Sequence, residues 1–281
     1  MRFPLLPRKK NTDKRSYGHA LIVAGSEAYP GAAILTARAA LASGAGLVTL
    51  ASPASIRTAL LKKFPPEVMP VFFKEPPVPK LRKLIRERRI NALAIGPGLG
   101  RLPRTSRWVR ALAQTSGVPV VLDADGLNAF CGRVSLLKRH RAPLVLTPHA
   151  GEFARLFGRA WPKAPKKRAE LAKRLSRSYD VVLVLKGPGT LVVYRDRMAW
   201  NKTGNPGMAK GGTGDALTGI IAAFIAQGMD PFKAAVWGVY FHGKAGGLAA
   251  KRTGVLSLTA SDLIDSLKDC WSSSVGRAAD L

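Results

Sequence analysis

The stretch "NPGMAKGGTGDALTG", Asn205 to Gly219, concentrates residues able to do chemistry on a transferable anion. Gly211, Gly212 and Gly214 surround Thr213, and Asp215 follows at once. A helix start leaves its first N–H groups unpaired and carries partial positive charge. Glycines, lacking Cβ, let a phosphate come close to those amides. The helix that follows, "ALTGIIAAFIAQG", is almost wholly apolar and small, so burial is expected to hold its N-terminus rigid. Rigid donors are what an anion hole of Gly212, Thr213 and Gly214 requires. Asp215 has a plainer reading, an acid favouring the helix dipole. Yet three glycines exceed what a cap needs, and a phosphate cradle excludes a carboxylate unless it handles a proton or a metal.

Other motifs punctuate the ends of β-like runs: "AGSEAYPGAA", "DADGLN" from Asp123, "TPHAGEF" from Thr147, and "KGPGT" from Lys186 to Thr190. In an open parallel sheet, ligands bind at the carboxyl ends of the strands. His149 stands in a loop, as a solvated residue or a ligand. Lys186 reads either as a point charge for a phosphate or as a surface lysine. No Walker A sequence occurs, and "GPGLG" at Gly96 to Gly100 misses the dinucleotide fingerprint by one residue. The two cysteines, Cys131 and Cys270, lack the spacing of a zinc site or a disulfide framework.

The elements that must position these residues alternate. "HALIVAG", "LVTLAS", "EVMPVFF", "NALAIG", "PVVLDA", "PLVLT" and "VVLVLKG" read as strands, most separated by helical patterns such as "AAILTARAALASGA". Several are apolar throughout, which suits strands buried on both faces. The expected fold is α/β: one three-layer αβα domain around a central, mostly parallel sheet. "TLVVYR" and "MAW" follow each other too closely for a helix and predict a hairpin. Beyond residue 211 the chain reads as helical over Gly214–Gln227, Pro231 to about Lys251, and Ala260–Lys268. Residues 1–15 are expected to be an extension, 16–269 the domain, and 270–281 a loose tail.

The chain has 281 residues, with 45 Lys+Arg against 17 Asp+Glu, a formal net charge of +28. Such a surface attracts anions, although a solvated Lys/Arg-rich surface explains the charge as simply. A nucleic-acid-binding protein is the remote alternative: no such motif and no interleaving of aromatics with basic residues accompanies the charge. No signal peptide and no membrane-length apolar run is seen, so a cytoplasmic location without membrane contact is expected.

The motifs "GHALIVAGSEAYPGAAILTARAALASGAGLV", "IGPGLG", "VLDADGLN", "LTPHAGEF", "VLVLKGPGT" and "NPGMAKGGTGDALTG" together resemble the NAD(P)H-hydrate dehydratases of the ribokinase-like superfamily. The resemblance covers about residues 15 to 265. "KGGTGD" alone marks only the superfamily; "TPHAGEF" with "GNPGMAKGGTGD" is more specific. The resemblance implies repair of hydrated NADH or NADPH with ADP or ATP and Mg²⁺: the hydroxyl is phosphorylated and phosphate leaves. It implies that Ala32, Gly98 and His149 line the hydrated dinucleotide. It gives the nucleotide to Lys186, Gly187, Pro188, Gly189 and Thr190 with Gly214, and the role of substrate-contacting catalytic base to Asp215. The metal ligands stay unassigned. Homo-oligomers and a separate epimerase are its implied partners, and a small-alcohol kinase of the same superfamily is the alternative activity.

Overall fold

The computed structural model describes residues 10–74 and 77–274. In chain order the strands are β1 (His19–Val23), β2 (Leu47–Pro53), β3 (Met69–Phe73), β4 (Ala92–Ile95), β5 (Val120–Leu122), β6 (Leu144–Leu146), β7 (Val181–Leu185), β8 (Leu191–Tyr194) and β9 (Arg197–Trp200). Between them run α1 (Pro30–Ala42), α2 (Arg57–Leu61), α3 (Val78–Glu87), α4 (Pro103–Thr115), α5 (Asp125–Asn128), α6 (Ala150–Phe157) and α7 (Pro165–Tyr179). After the sheet come α8 (Thr213–Ala226), α9 (Pro231–Thr253), α10 (Ala260–Asp265) and α11 (Leu267–Ser274).

The nine strands form one sheet in the order β3-β2-β1-β4-β5-β6-β7-β8-β9. All pairs from β3 to β7 are parallel. β7 to β9 form an antiparallel meander, with Tyr194 opposite Arg197 at the predicted hairpin. The sheet is therefore mostly parallel, as its apolar strands imply. Every residue of β1 and β7 is buried. Successive side chains serve opposite layers, because Cβ atoms alternate across a strand. Ala20 and Ile22 join the cluster under α1, α8 and α9. Leu21 and Val23 join the cluster under α3, α4 and α6.

The strand order reverses between β1 and β4, so a crevice opens beyond their carboxyl ends. Two loops meet there: Gly25 N–H donates to Pro97 O at 2.8 Å, and Gly96 N–H donates to Val23 O at 3.1 Å.

Helix α8 carries the acid and lies deep. Every residue from Ala216 to Ala226 is buried. A Cβ on Gly219 would overlap the Thr36 carbonyl of α1, so the two helices meet backbone to backbone. The small residues Ala33, Ala37 and Ala40 make the same face of α1 flat enough for that approach.

Three boundaries differ in detail from the sequence pattern. The last predicted helix is two, α10 and α11, broken around Ser266, whose amide folds back on Asp262 O at 3.0 Å. Helix α11 continues into the segment expected to be loose, and Cys270 is fully buried in it; the rest of that segment, 275–281, lies outside the described residues. At the other end, residues 1–9 of the expected extension lie outside them too. The turn Lys14–Tyr17 straddles its boundary and buries Tyr17, with Asp13 capping it. Among the described residues no helix is long and apolar enough to cross a membrane.

Candidate active site

Five strand-end turns, those after β1, β4, β5, β6 and β7, and the start of α8 meet at the carboxyl edge of the sheet. The "KGPGT" turn leaves β7, and Lys186 brings its ammonium back over the edge. Nζ lies 2.7 Å from Asp123 Oδ1 and 3.7 Å from Glu152 Oε2. Asp123 ends β5, is 1% exposed, and accepts a second bond from Thr218 Oγ1 at 2.8 Å. Burial alone would lower the pKa of Lys186, but Asp123 and then Glu152 outweigh it and hold the group above its ordinary value. Lys186 is thus an internal cation held by carboxylates from two other strand ends, and the surface-lysine reading falls.

The glycine turn sits directly beside that cation. A Cβ placed on Gly214 would stand 3.3 Å from Lys186 Nζ and 3.9 Å from Asp123 Oδ2. Gly212 is the N-cap of α8 at φ +90, a conformation that favours glycine, and no side chain caps the helix. Thr213 N–H makes a long bond to Lys210 O at 3.5 Å, and no side chain takes up the amides that follow it at the start of α8. A Cβ on Gly211, Gly187 or Gly189 would meet nothing within 4 Å, so both glycine turns are open to an approaching group. Within "KGPGT", Thr190 Oγ1 closes the turn by donating to Gly187 O at 2.9 Å, and Pro188 spans it.

Asp215 follows in the first turn of α8 and is half-buried. Its pKa is raised to about 7, first by burial and then by the neighbouring Asp123 charge, with Lys186 opposing. The ordinary aspartate value of about 4 would understate its basicity. A carboxylate tuned near neutrality takes up a proton more readily while remaining substantially ionised.

His149 caps α6. Its Nδ1 accepts from Gly151 N–H at 3.0 Å, and Glu152 returns the capping box by accepting from His149 N–H at 2.9 Å. An accepting Nδ1 places the ring proton on Nε2, which faces Glu152 Oε1 at 3.5 Å. The backbone of His149 bridges that of Lys186 in parallel register. His149 is therefore a built part of the same edge, although its side chain is 53% exposed.

Ala32 and Gly98 lie together at the crevice. Gly98 adopts φ +64, and a Cβ there would come within 2.8 Å of Tyr29 O and 3.0 Å of Ala32 Cβ. The "GPGLG" turn is tied to "DADGLN", where Asp125 Oδ2 accepts from Gly100 N–H at 2.8 Å. Between the two acids, Ala124 is held at φ 48, ψ −115, a strained conformation for a residue with Cβ.

The structure thus brings Lys186, Gly214 and Asp215 together with His149, and sets Ala32 beside Gly98 on the same edge. Sequence reasoning quoted Asp123 and Glu152 inside its motifs without giving them a task. Their position just past apolar strands was the available signal. Thr218 was likewise quoted without a task and His242 was missed altogether, since both lie inside helical patterns.

A doubly wound parallel sheet with a glycine turn feeding a buried helix and an acid in its first turn defines a ribokinase-like protein. Within that class, the family model described as NAD(P)H-hydrate dehydratase matches residues 20–269. The chain belongs to that family. It is 43% identical to the bifunctional NAD(P)H-hydrate repair enzyme of Moorella thermoacetica over 93% of this chain, and spans 51% of that relative's length. It is 35% identical to the ADP-dependent (S)-NAD(P)H-hydrate dehydratase of Bacillus subtilis over 96% of this chain and 95% of the relative. The crystal structure of the Bacillus subtilis ADP/ATP-dependent NAD(P)H-hydrate dehydratase, co-crystallised with ATP and Mg²⁺, superposes with a TM-score of 0.80. That pair shares 34% identity, covering 96% of this chain and 95% of the other.

Proposed function

We propose that this chain restores hydrated NADH and NADPH to the intact dinucleotides, using ADP to phosphorylate the added hydroxyl and releasing phosphate. The observation that carries the reading is the meeting of three groups: the amide end of α8, which no side chain caps, the Lys186 ammonium beside Gly214, and the Asp215 carboxylate one residue on. Hydroxide leaves poorly and phosphate leaves well, so phosphorylation lowers the barrier to losing the oxygen.

Each residue has a task in that chemistry. Ala32 and Gly98 line the crevice and receive the hydrated ring, with His149 contacting the same substrate. Lys186 to Thr190, with Gly214, hold the nucleotide phosphates. The amides of Gly212, Thr213 and Gly214 stabilise charge on the migrating phosphoryl group. Asp215 accepts the hydroxyl proton as the oxygen–phosphorus bond forms. In the second half, phosphate departs and the adjacent ring carbon loses a proton, which restores the double bond.

The nucleotide supplies the phosphoryl group, and Mg²⁺ supplies charge neutralisation on its oxygens. Among the described residues no cluster of three or more His, Cys, Asp or Glu could hold a metal. That suits Mg²⁺, which is bound by one or two carboxylates plus phosphates and water. Asp123 and Glu152 are taken up by the Lys186 ammonium, so Mg²⁺ would be held chiefly by the phosphate oxygens of the nucleotide and by water.

The test is incubation with hydrated NADH, Mg²⁺ and either ADP or ATP. Recovery of reduced-nicotinamide absorbance with phosphate release supports the reading, and ADP is expected to be the better donor. A stable phosphorylated product of another alcohol would replace it with a kinase.

A further inference from the structure

We infer that His242 is a positioning residue for the anion-binding turn: its Nε2 proton fixes and polarises the peptide unit that joins Thr213 to Gly214. This rests on the reading of that turn as the phosphoryl site.

Nε2 of His242 lies 2.8 Å from Thr213 O. A carbonyl oxygen can only accept, so the ring proton is on Nε2. The oxygen of Thr213 and the N–H of Gly214 are the two ends of one planar amide. Hydrogen bonds linked through one amide reinforce each other, so a donor at the oxygen makes the Gly214 N–H a stronger donor. The Gly214 N–H is one of the donors assigned above to the phosphoryl group.

The turn needs such a hold. Three of its four residues are glycines, and glycine loses more backbone freedom on ordering than any other residue. No side chain caps α8. Thr213 is the exception to the glycine run, and it is anchored at both ends. Its Oγ1 faces Met208 O and Lys210 O, each at 2.9 Å, while His242 holds its carbonyl. The ring is brought there by α9, whose Gly243 and Gly246 leave no room for a Cβ against Thr203 and Met208. Burial keeps the ring neutral, with a pKa pushed down to about 4, so its proton placement stays constant near neutral pH.

The experiment compares His242→Phe, which fills the space without a donor, with His242→Gln, whose amide nitrogen can reach the same oxygen; His242→Asn, polar but one methylene too short to bring its amide nitrogen to that oxygen, replaces the Phe variant if that one does not fold. Wild type and folded variants are measured for kcat and KM, for ADP and adenosine affinity, and for the Thr213 carbonyl ¹³C and Gly214 amide shifts by NMR. Loss of the donor should lower kcat by about 10- to 100-fold, less than removing a donor outright, with little change in KM for the hydrated dinucleotide. ADP affinity should fall by roughly 10-fold while adenosine affinity holds, because only the phosphates meet the turn. The Thr213 carbonyl signal should move upfield, and His242→Gln should recover most of each change. A Gln variant no better than the Phe or Asn variant, or unchanged ADP affinity and carbonyl shift without the donor, overturns the inference. The binding and NMR arms need no turnover, so they decide it even if hydrated NADH proves not to be the substrate.

Discussion

The Lys186 ammonium lies 2.7 Å from the carboxylate of Asp123, and the two side chains are 17% and 2% exposed. They come from the turns after β5 and β7, with β6 between them at the sheet edge and 63 residues apart in sequence, and Thr218 completes the carboxylate's coordination from α8. Such a pair is costly to break on one side, since the remaining charge is left buried without a partner. Lys186→Met is therefore expected to destabilise the protein by about 3–5 kcal/mol in denaturant titration. It should also weaken ADP binding by 10-fold or more, the loss of one charge-assisted phosphate contact. Adding Asp123→Asn should recover much of the stability and none of the nucleotide affinity. Equal recovery of both would mean that Lys186 serves packing alone.

Asp215 should govern the acid limb of the rate. With a pKa raised to about 7, it is mostly protonated below that pH and cannot accept the hydroxyl proton. The kcat/KM value for hydrated NADH should therefore rise with pH and level off above an apparent pKa near 7. An unperturbed aspartate would level off near pH 4. Asp215→Asn should reduce turnover by about 10²- to 10⁴-fold with dinucleotide binding retained, and its residual activity should lack that limb.

The reach of the sequence can be judged from these same residues. The alternation of apolar strands with helical patterns carries local information, so the layers and the parallel sheet follow from it. Glycine turns carry it too, which is why "KGGTGD" and "KGPGT" are legible. The pairing of Asp123 with Lys186 is a property of strand order, which no local pattern encodes. The same holds for His242, which is brought to Thr213 by the packing of α9 against the 201–208 loop. The pKa of Asp215 depends on burial and on Asp123, so the sequence could single out the acid but not the strength the fold gives it. The break between α10 and α11 was hidden because the apolar pattern continues through it.

Gly98 tests the crevice independently of the phosphoryl chemistry. Its φ of +64 is unfavourable for any residue with Cβ, and the added atom would come within 2.8 Å of Tyr29 O and 3.0 Å of Ala32 Cβ. Gly98→Ala should therefore wedge the "GPGLG" turn away from the start of α1. Backbone strain of this kind costs about 1–3 kcal/mol, so the variant should remain folded. KM for the hydrated dinucleotide should rise several-fold while ADP affinity, set three strands away, stays within twofold. A matched loss of both affinities in a binding titration would show that the two regions are not separate.

Asp215 should also reveal a stability cost of function. Its folded pKa of about 7 lies above the ordinary 3.8, so the folded state keeps a proton that the unfolded chain has lost between those values. Stability is then lost as pH rises through that window, and the full cost persists above it. At about 1.4 kcal/mol per pH unit, the cost is bounded at about 4 kcal/mol; the partial solvent contact of Asp215 discounts it to roughly 1–3 kcal/mol. Asp215→Asn removes the ionisation and should be the more stable protein at neutral pH. The stability gained over wild type should be near its minimum below pH 4, grow between about 4 and 7, and then plateau. His242, whose folded pKa of about 4 lies below its ordinary 6.5, makes both proteins lose stability as pH falls through that range, and cancels in the difference. Thermal melts of the two proteins across that range check the sign. A difference that shrinks with rising pH would mean that the Asp215 carboxylate is stabilised in the fold, and would remove the basis for its role as a base poised near neutrality.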